Sequence, residues 1–264
     1  MTRKISLPVI FLLVLGVSGC GLWKDMREWW RPLDMARATP EGLYKRGAEL
    51  YQEGRYRKAI ESFQRLKEQY PLHDLVVSAE IGIADSYFSD EAYIEAESVY
   101  RDFISLRPTN ENLPYAMYQL GMCHYRQMSV IDRDQTETIR ALKEFERLVA
   151  RFPDSKFYVL AERHILECRK RLAEKEFYVG NFYFIRGKYK AALGRFETIA
   201  REYPGIGLDY KVRYFLEESK KQLIRQEAEE KIKKEKEEKK ARAREEEEAR
   251  AKAAKDVQAS REGK

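Results

Sequence analysis

Cys20 is the residue whose setting points most directly to chemistry. It closes the stretch Val17-Ser18-Gly19-Cys20, which follows an apolar run from Ile5 to Leu15 and a basic start at Arg3 and Lys4. That order is a secretory address ending in a lipobox. The thiol is expected to be diacylated, residues 1–19 removed as a lipoprotein signal peptide, and the freed amine acylated in turn. Each buried methylene contributes about 0.8 kcal/mol, so three acyl chains exceed the two-signal threshold for stable anchoring. A plain cleavable signal with Cys20 merely near the cut is the other reading of these residues. Gly21 stands where an inner-membrane retention signal would carry aspartate, which favours sorting to the outer membrane.

The remaining reactive residue types form no catalytic set. His73, His124 and His164 have no cysteine or carboxylate at ligand spacing; the nearest pair, His164 with Cys168, lies one helical turn apart and is too small a set for zinc. Asp132 and Asp134 sit in a polar stretch, but the further oxygen ligands and the turn glycine of a calcium loop are missing. No glycine-rich phosphate loop or nucleophile elbow occurs. The expectation is therefore a protein that is not an enzyme and holds no cofactor or metal. Cys123 and Cys168 fall on helical patterns and read as two buried small hydrophobes, with a disulfide between them as the alternative.

What positions these residues is a repeat. Tyr56, Ala59, Phe63 and Pro71 recur as Tyr93, Ala96, Tyr100 and Pro108, and as Tyr189, Ala192, Phe196 and Pro204; a further copy keeps Ala141, Phe145 and Pro153. The alanine lets two helices cross closely, the aromatic fills the gap, and the proline ends the second helix because it has no amide to donate. In each first helix a small residue precedes an aromatic or histidine: Gly47 and Tyr51, Ala84 and Tyr87, Gly121 and His124, Gly180 and Tyr183. The spacing is that of a tetratricopeptide repeat. Pro71, Pro108, Pro153 and Pro204 are 37, 45 and 51 residues apart in turn, so the array takes insertions.

The expected fold is all-α: an α-solenoid of about five such hairpins over residues 40–224, elongated and curved because each repeat contacts only its neighbours. A 36% charged composition and a mean hydropathy of −0.65 suit such a surface-rich array better than one compact core. Thr39-Pro40-Glu41 reads as a helix start. The third hairpin is interrupted between Arg126 and Thr138, with Asp134 or Thr136 capping the helix that follows. After Pro153 a cap at Asp154 or Ser155 opens a long helix running to Gly187, and a last packed helix spans about Leu208 to Ile224.

Ahead of the repeats, residues 20–39 form a lipidated, membrane-proximal linker that carries all the tryptophans, Trp23, Trp29 and Trp30. It lies against the headgroups or docks onto the first repeat or a partner. Residues 225–264 form a charged tail whose apolar residues are nearly all alanine, so no coiled-coil seam exists. Glutamates preceding lysines and arginines by three and four residues favour a solvated helix, fraying into disorder after Asp256. The net charge of +6 is sign-mixed, with no basic block interleaved with aromatics, and does not point to nucleic acid.

Lipobox, linker and irregular hairpins together resemble the BamD family, the lipoprotein subunits of the bacterial outer-membrane β-barrel assembly machine. The likeness covers roughly residues 20–224. It rests on Tyr70-Pro71 and Tyr203-Pro204, on Ser129-Val130-Ile131-Asp132-Arg133-Asp134-Gln135, and on Arg171-Leu172-Ala173-Glu174-Lys175-Glu176; the charged tail departs from it. The resemblance implies an outer-membrane lipoprotein scaffold, lipid-anchored on the periplasmic face. Its implied partners are the barrel-forming subunit, other assembly lipoproteins and unfolded outer-membrane substrates. Substrate contact is expected near the first two repeats, with Tyr70 stacking on an aromatic peptide end and Arg107 near its carboxylate; alternatively Tyr70 packs under Pro71 as a closure. Arg195 is expected to meet an acidic group on the barrel-forming subunit, or else to be a solvated arginine paired with Glu197 or Glu202. A repeat lipoprotein coordinating peptidoglycan synthesis or envelope division is the alternative function.

Overall fold

The computed structural model describes residues 39–262, with side chains described through residue 252. Cys20, the signal and the tryptophan-bearing linker lie outside the described residues. Among the described residues there are nine helices and no strand: α1 (Pro40–Gln52), α2 (Tyr56–Gln69), α3 (Leu75–Ser89), α4 (Tyr93–Leu106), α5 (Leu113–Arg126), α6 (Thr136–Arg151), α7 (Tyr158–Ile185), α8 (Tyr189–Glu202) and α9 (Asp209–Glu262). They fall into two compact units, divided between Ala116 and Met117.

In the first unit the Thr39 hydroxyl accepts from the Gly42 amide at 3.1 Å, so α1 begins at the cap the sequence predicts. Gly54, at φ 73°, turns the chain from α1 into α2; the matching turn of the next hairpin puts Glu91 at φ 60°, a left-handed conformation without the freedom of glycine. Ala59 is wholly buried at the helix crossing, and Phe63 fills the space beside it. A Cβ built on Gly47 would stand 2.5 Å from the Phe63 ring, and one built on Gly82 would stand 2.7 Å from its other edge. The ring is thus wedged between α1 and α3, joining one hairpin to the next. Its burial is worth about 1.5–3 kcal/mol. Gly47 is the small residue read from the repeat; Gly82 is not part of that pattern and is found only in three dimensions.

Each second helix ends on the residue before proline. Tyr70, Arg107, Phe152 and Tyr203 all sit near φ −130°, at ψ 57°, 58°, 65° and 52°. Proline's ring excludes the helical region for its predecessor, which is why the four copies stop alike.

The second unit repeats the logic. A Cβ on Gly121 would stand 2.6 Å from Phe145, and one on Gly180 would stand 2.8 Å from Phe196. Phe177, Phe184, Phe196 and Phe215 form an aromatic cluster with centroid separations of 5.1–5.6 Å that closes α7, α8 and α9 on one another. α7 has 28 residues, a length of about 42 Å at 1.5 Å per residue. It starts later than expected: Ser155 accepts from the Phe157 amide at 3.2 Å within a turn, and the helix opens at Tyr158 with no side-chain cap. At α6 the first helical residue is Thr136, whose amide donates to Asp134 at 2.9 Å. Cys123 and Cys168 are free thiols, both buried, as the small-hydrophobe reading holds.

α9 is one helix of 54 residues with no break at Arg225, and it runs past Asp256 to Glu262 where disorder was expected. Alanines at 249, 251, 253 and 254 keep helix propensity high in the stretch that leads up to Asp256. An ion pair such as Arg225 to Glu229 at 2.9 Å adds a few tenths of a kcal/mol, ~0.3–0.5, to the exposed part of the helix.

Candidate partner-binding sites

In the first unit, Tyr70 is half-buried against the core around Phe63, the closure position its place before Pro71 dictates. Arg107 occupies the equivalent position on α4, where the other copies have an aromatic ring. Its Nε donates to Glu80 Oε2 at 2.6 Å, and Lys67 Nζ lies 3.4 Å from the other carboxylate oxygen. Glu80 comes from the middle of α3 and is only 7% exposed. The hydrogen bond to Glu80 pushes the guanidinium further above its ordinary pKa. Arg107 is therefore a clasp from the end of α4 to α3.

Glu80 and Lys67 also line a groove of ≈ 550 Å³ whose apolar wall is Ile83, Val99, Phe103 and Leu106, with Tyr87 beside them. Neither Tyr70 nor Arg107 lines it; Arg107 borders it through Glu80. The groove pairs apolar wall with fixed charge of both signs, which suits an extended peptide with apolar side chains. Nearby, burial pushes the Asp85 carboxyl up, opposed by hydrogen bonds from the Tyr100 and Tyr115 hydroxyls, the latter at 2.8 Å. Nothing in the sequence marks Glu80, Asp85 or Lys67, since a lone charged residue in a helix carries no local sign of its burial or of the partner it meets on another helix.

In the second unit, Arg195 stands on α8 with its side chain 45% exposed. Its partner is neither Glu197 nor Glu202 but Glu176 on α7, reached through Nη1 at 3.0 and 3.3 Å. Two of the sequence stretches that carried the family likeness, Ser129–Gln135 and Arg171–Glu176, meet here. Arg171 donates to the Ser129 carbonyl at 2.6 Å and Lys175 to the Arg133 carbonyl at 3.2 Å, so the insertion rests on α7.

The histidines have carboxylate partners after all, supplied by the fold for His124 and His73 and by the next turn of its own helix for His164. His124 meets Glu137 at 2.7 Å, His73 meets Glu41 at 3.3 Å, and His164 meets Glu167 at 3.2 Å while packing on Tyr125 and Phe145. Among the described residues no three histidine, cysteine, aspartate or glutamate side chains group as metal ligands. Cys168 sits 3.9 Å from the Met128 sulfur, and burial pushes its thiol up to about 12.

The sequence matches the YfiO family, described as outer membrane lipoprotein, over residues 36–236. Its relatives include outer membrane protein assembly factor BamD of Rickettsia prowazekii, 31% identical over 87% of this chain and 88% of that protein. The protein of the same name from Caulobacter vibrioides is 30% identical over 60% of this chain and 52% of its own length. Among solved structures, MamA aligns at 18% identity over 70% of this chain and 87% of that one, with a TM-score of 0.37. A thermophilic TPR protein of Thermus thermophilus aligns at 17% identity over 67% of this chain and 99% of its own, also with a TM-score of 0.37.

Proposed function

Since the chain belongs to the YfiO family of outer membrane lipoproteins, we propose that it is a scaffold of the machinery that assembles β-barrels into that membrane. The observation that carries this reading is the likeness, over most of the chain, to relatives named outer membrane protein assembly factor. In this reading Cys20 bears the acyl chains that hold the protein on the periplasmic face. The helical hairpins act by binding, with no bond made or broken. Extended outer-membrane substrates meet the first unit near Tyr70 and the groove that Arg107 and Glu80 border. The barrel-forming subunit meets the second unit at Arg195.

Arg195 supports its assignment physically. It is half exposed, and its internal pair with Glu176 is a surface pair worth about 0–1 kcal/mol, a small cost to exchange for a desolvated partner. Truncating or reversing a charge in a buried interfacial pair costs about 2–5 kcal/mol. Arg195→Glu should abolish co-purification of the barrel-forming subunit while helix content and membrane fractionation stay as in the wild type. An unaltered pull-down removes the role from Arg195. Recovery of cell-wall synthases in place of the barrel subunit would move the protein to peptidoglycan synthesis.

A further inference from the structure

The insertion between α5 and α6 is held more firmly than a connector requires. Helical hairpins are joined by as few as ~2–5 residues, whereas this link spans 127–135. Gln135, 7% exposed, donates to the carbonyls of Val130 at 2.8 Å and Arg133 at 3.2 Å, and its own oxygen accepts from the buried Thr138 hydroxyl at 2.8 Å. Arg171 and Lys175 of α7 grip the carbonyls of Ser129 and Arg133 from the other side. Asp134 takes the Thr136 amide, and apart from the Gln135–Thr138 pair these contacts all fasten backbone.

The side chains at the tip are left outward. Val130 is 61% exposed. Asp132 and Arg133 are exposed, and neither charged group has an ion-pair or hydrogen-bond partner among the described residues. Fixing the backbone of a residue costs about 1–2 kcal/mol of conformational entropy, and pre-setting a loop removes that cost from a later binding step. Lys175, which anchors the loop, and Glu176, which holds Arg195, are consecutive on α7. The loop and Arg195 are thereby tied through two adjacent residues, well within the footprint of an interface of about 800 Å² per partner.

We propose that the Ser129–Gln135 loop is a second contact of the Arg195 interface, offering Asp132 to a cation and Arg133 to a carboxylate on the folded domain that meets Arg195. This rests on the reading of Arg195 given above. The two signs side by side set the register of docking, since a shifted partner would face like charges.

The probe is the purified periplasmic region of the barrel-forming subunit from the same organism, titrated by surface plasmon resonance against the mature lipoprotein in detergent. Asp132→Lys and Arg133→Glu should each weaken binding tenfold or more, with the melting temperature unchanged because both side chains face solvent. A photo-crosslinking benzoylphenylalanine at position 130 should give an adduct with the subunit. If Arg195→Glu abolishes binding while both loop variants bind within twofold of wild type, or position 130 gives no adduct, the loop is no part of the interface and the Arg195 reading stands. If the loop variants weaken binding and Arg195→Glu does not, the Arg195 reading fails and the shared interface with it. If all three variants bind normally, both fall together.

Discussion

Arg107→Ala should destabilise the first unit through the charge it leaves behind. Glu80 is 7% exposed in the middle of α3, and the Arg107 Nε at 2.6 Å is its shortest charged contact. Removing one member of a buried ion pair costs about 3–5 kcal/mol when the other charge is left with nothing. Here Lys67 remains at 3.4 Å, itself about half exposed at 52%, so the cost falls toward the ~1–3 kcal/mol of an under-satisfied buried polar group. At about 2–4 °C per kcal/mol for a domain of 150–250 residues, thermal unfolding followed by circular dichroism should shift down by several degrees. The double variant Arg107→Met with Glu80→Met removes both charges while keeping side-chain volume, and should melt within about 1 kcal/mol of wild type, since apolar replacement of a buried pair is often neutral. Wild-type melting of the single variant, or a double variant as unstable as the single, would refute the clasp. In that event Arg107 would be free to serve substrate directly, and loss of peptide binding with unchanged stability would identify that role.

Cys20→Ser removes the thiol on which the proposed lipidation depends and should leave soluble or unprocessed protein with unchanged helix content; fractionation with outer membranes in the absence of partner subunits would count against the anchor. Ala59→Phe places a ring at a wholly buried helix crossing and should cost about 1–3 kcal/mol by overpacking, read as a lowered urea midpoint. A thiol whose pKa is pushed up to about 12 is neutral at working pH, and the thiolate is the nucleophile. Native Cys168 should therefore resist alkylation at pH 8 and react only on unfolding; rapid labelling of the folded protein would contradict its burial.

Much of the fold was legible because the signals are local. Alanine four before an aromatic, as in Ala59 and Phe63, fixes which face of one helix is narrow, and Tyr70-Pro71 fixes where it stops, since proline constrains only its own ring and its predecessor. The address at Cys20 is likewise read from consecutive residues and needs no fold.

What escaped the sequence is everything that depends on which residues of two helices meet. Gly82 lies against Phe63 of the preceding hairpin, Glu80 lies under Arg107, and His124 finds Glu137 across an insertion. Arg195 turns to Glu176 on the neighbouring helix although Glu197 and Glu202 are closer along the chain. The family-marking stretches around Asp132 and Arg171 could be noted separately, but their union rests on hydrogen bonds to backbone carbonyls, which carry no side-chain signature. Periodicity sets the direction a side chain leaves its own helix; the register and crossing of the next helix decide what it finds there, and those arise from the packing of the whole hairpin.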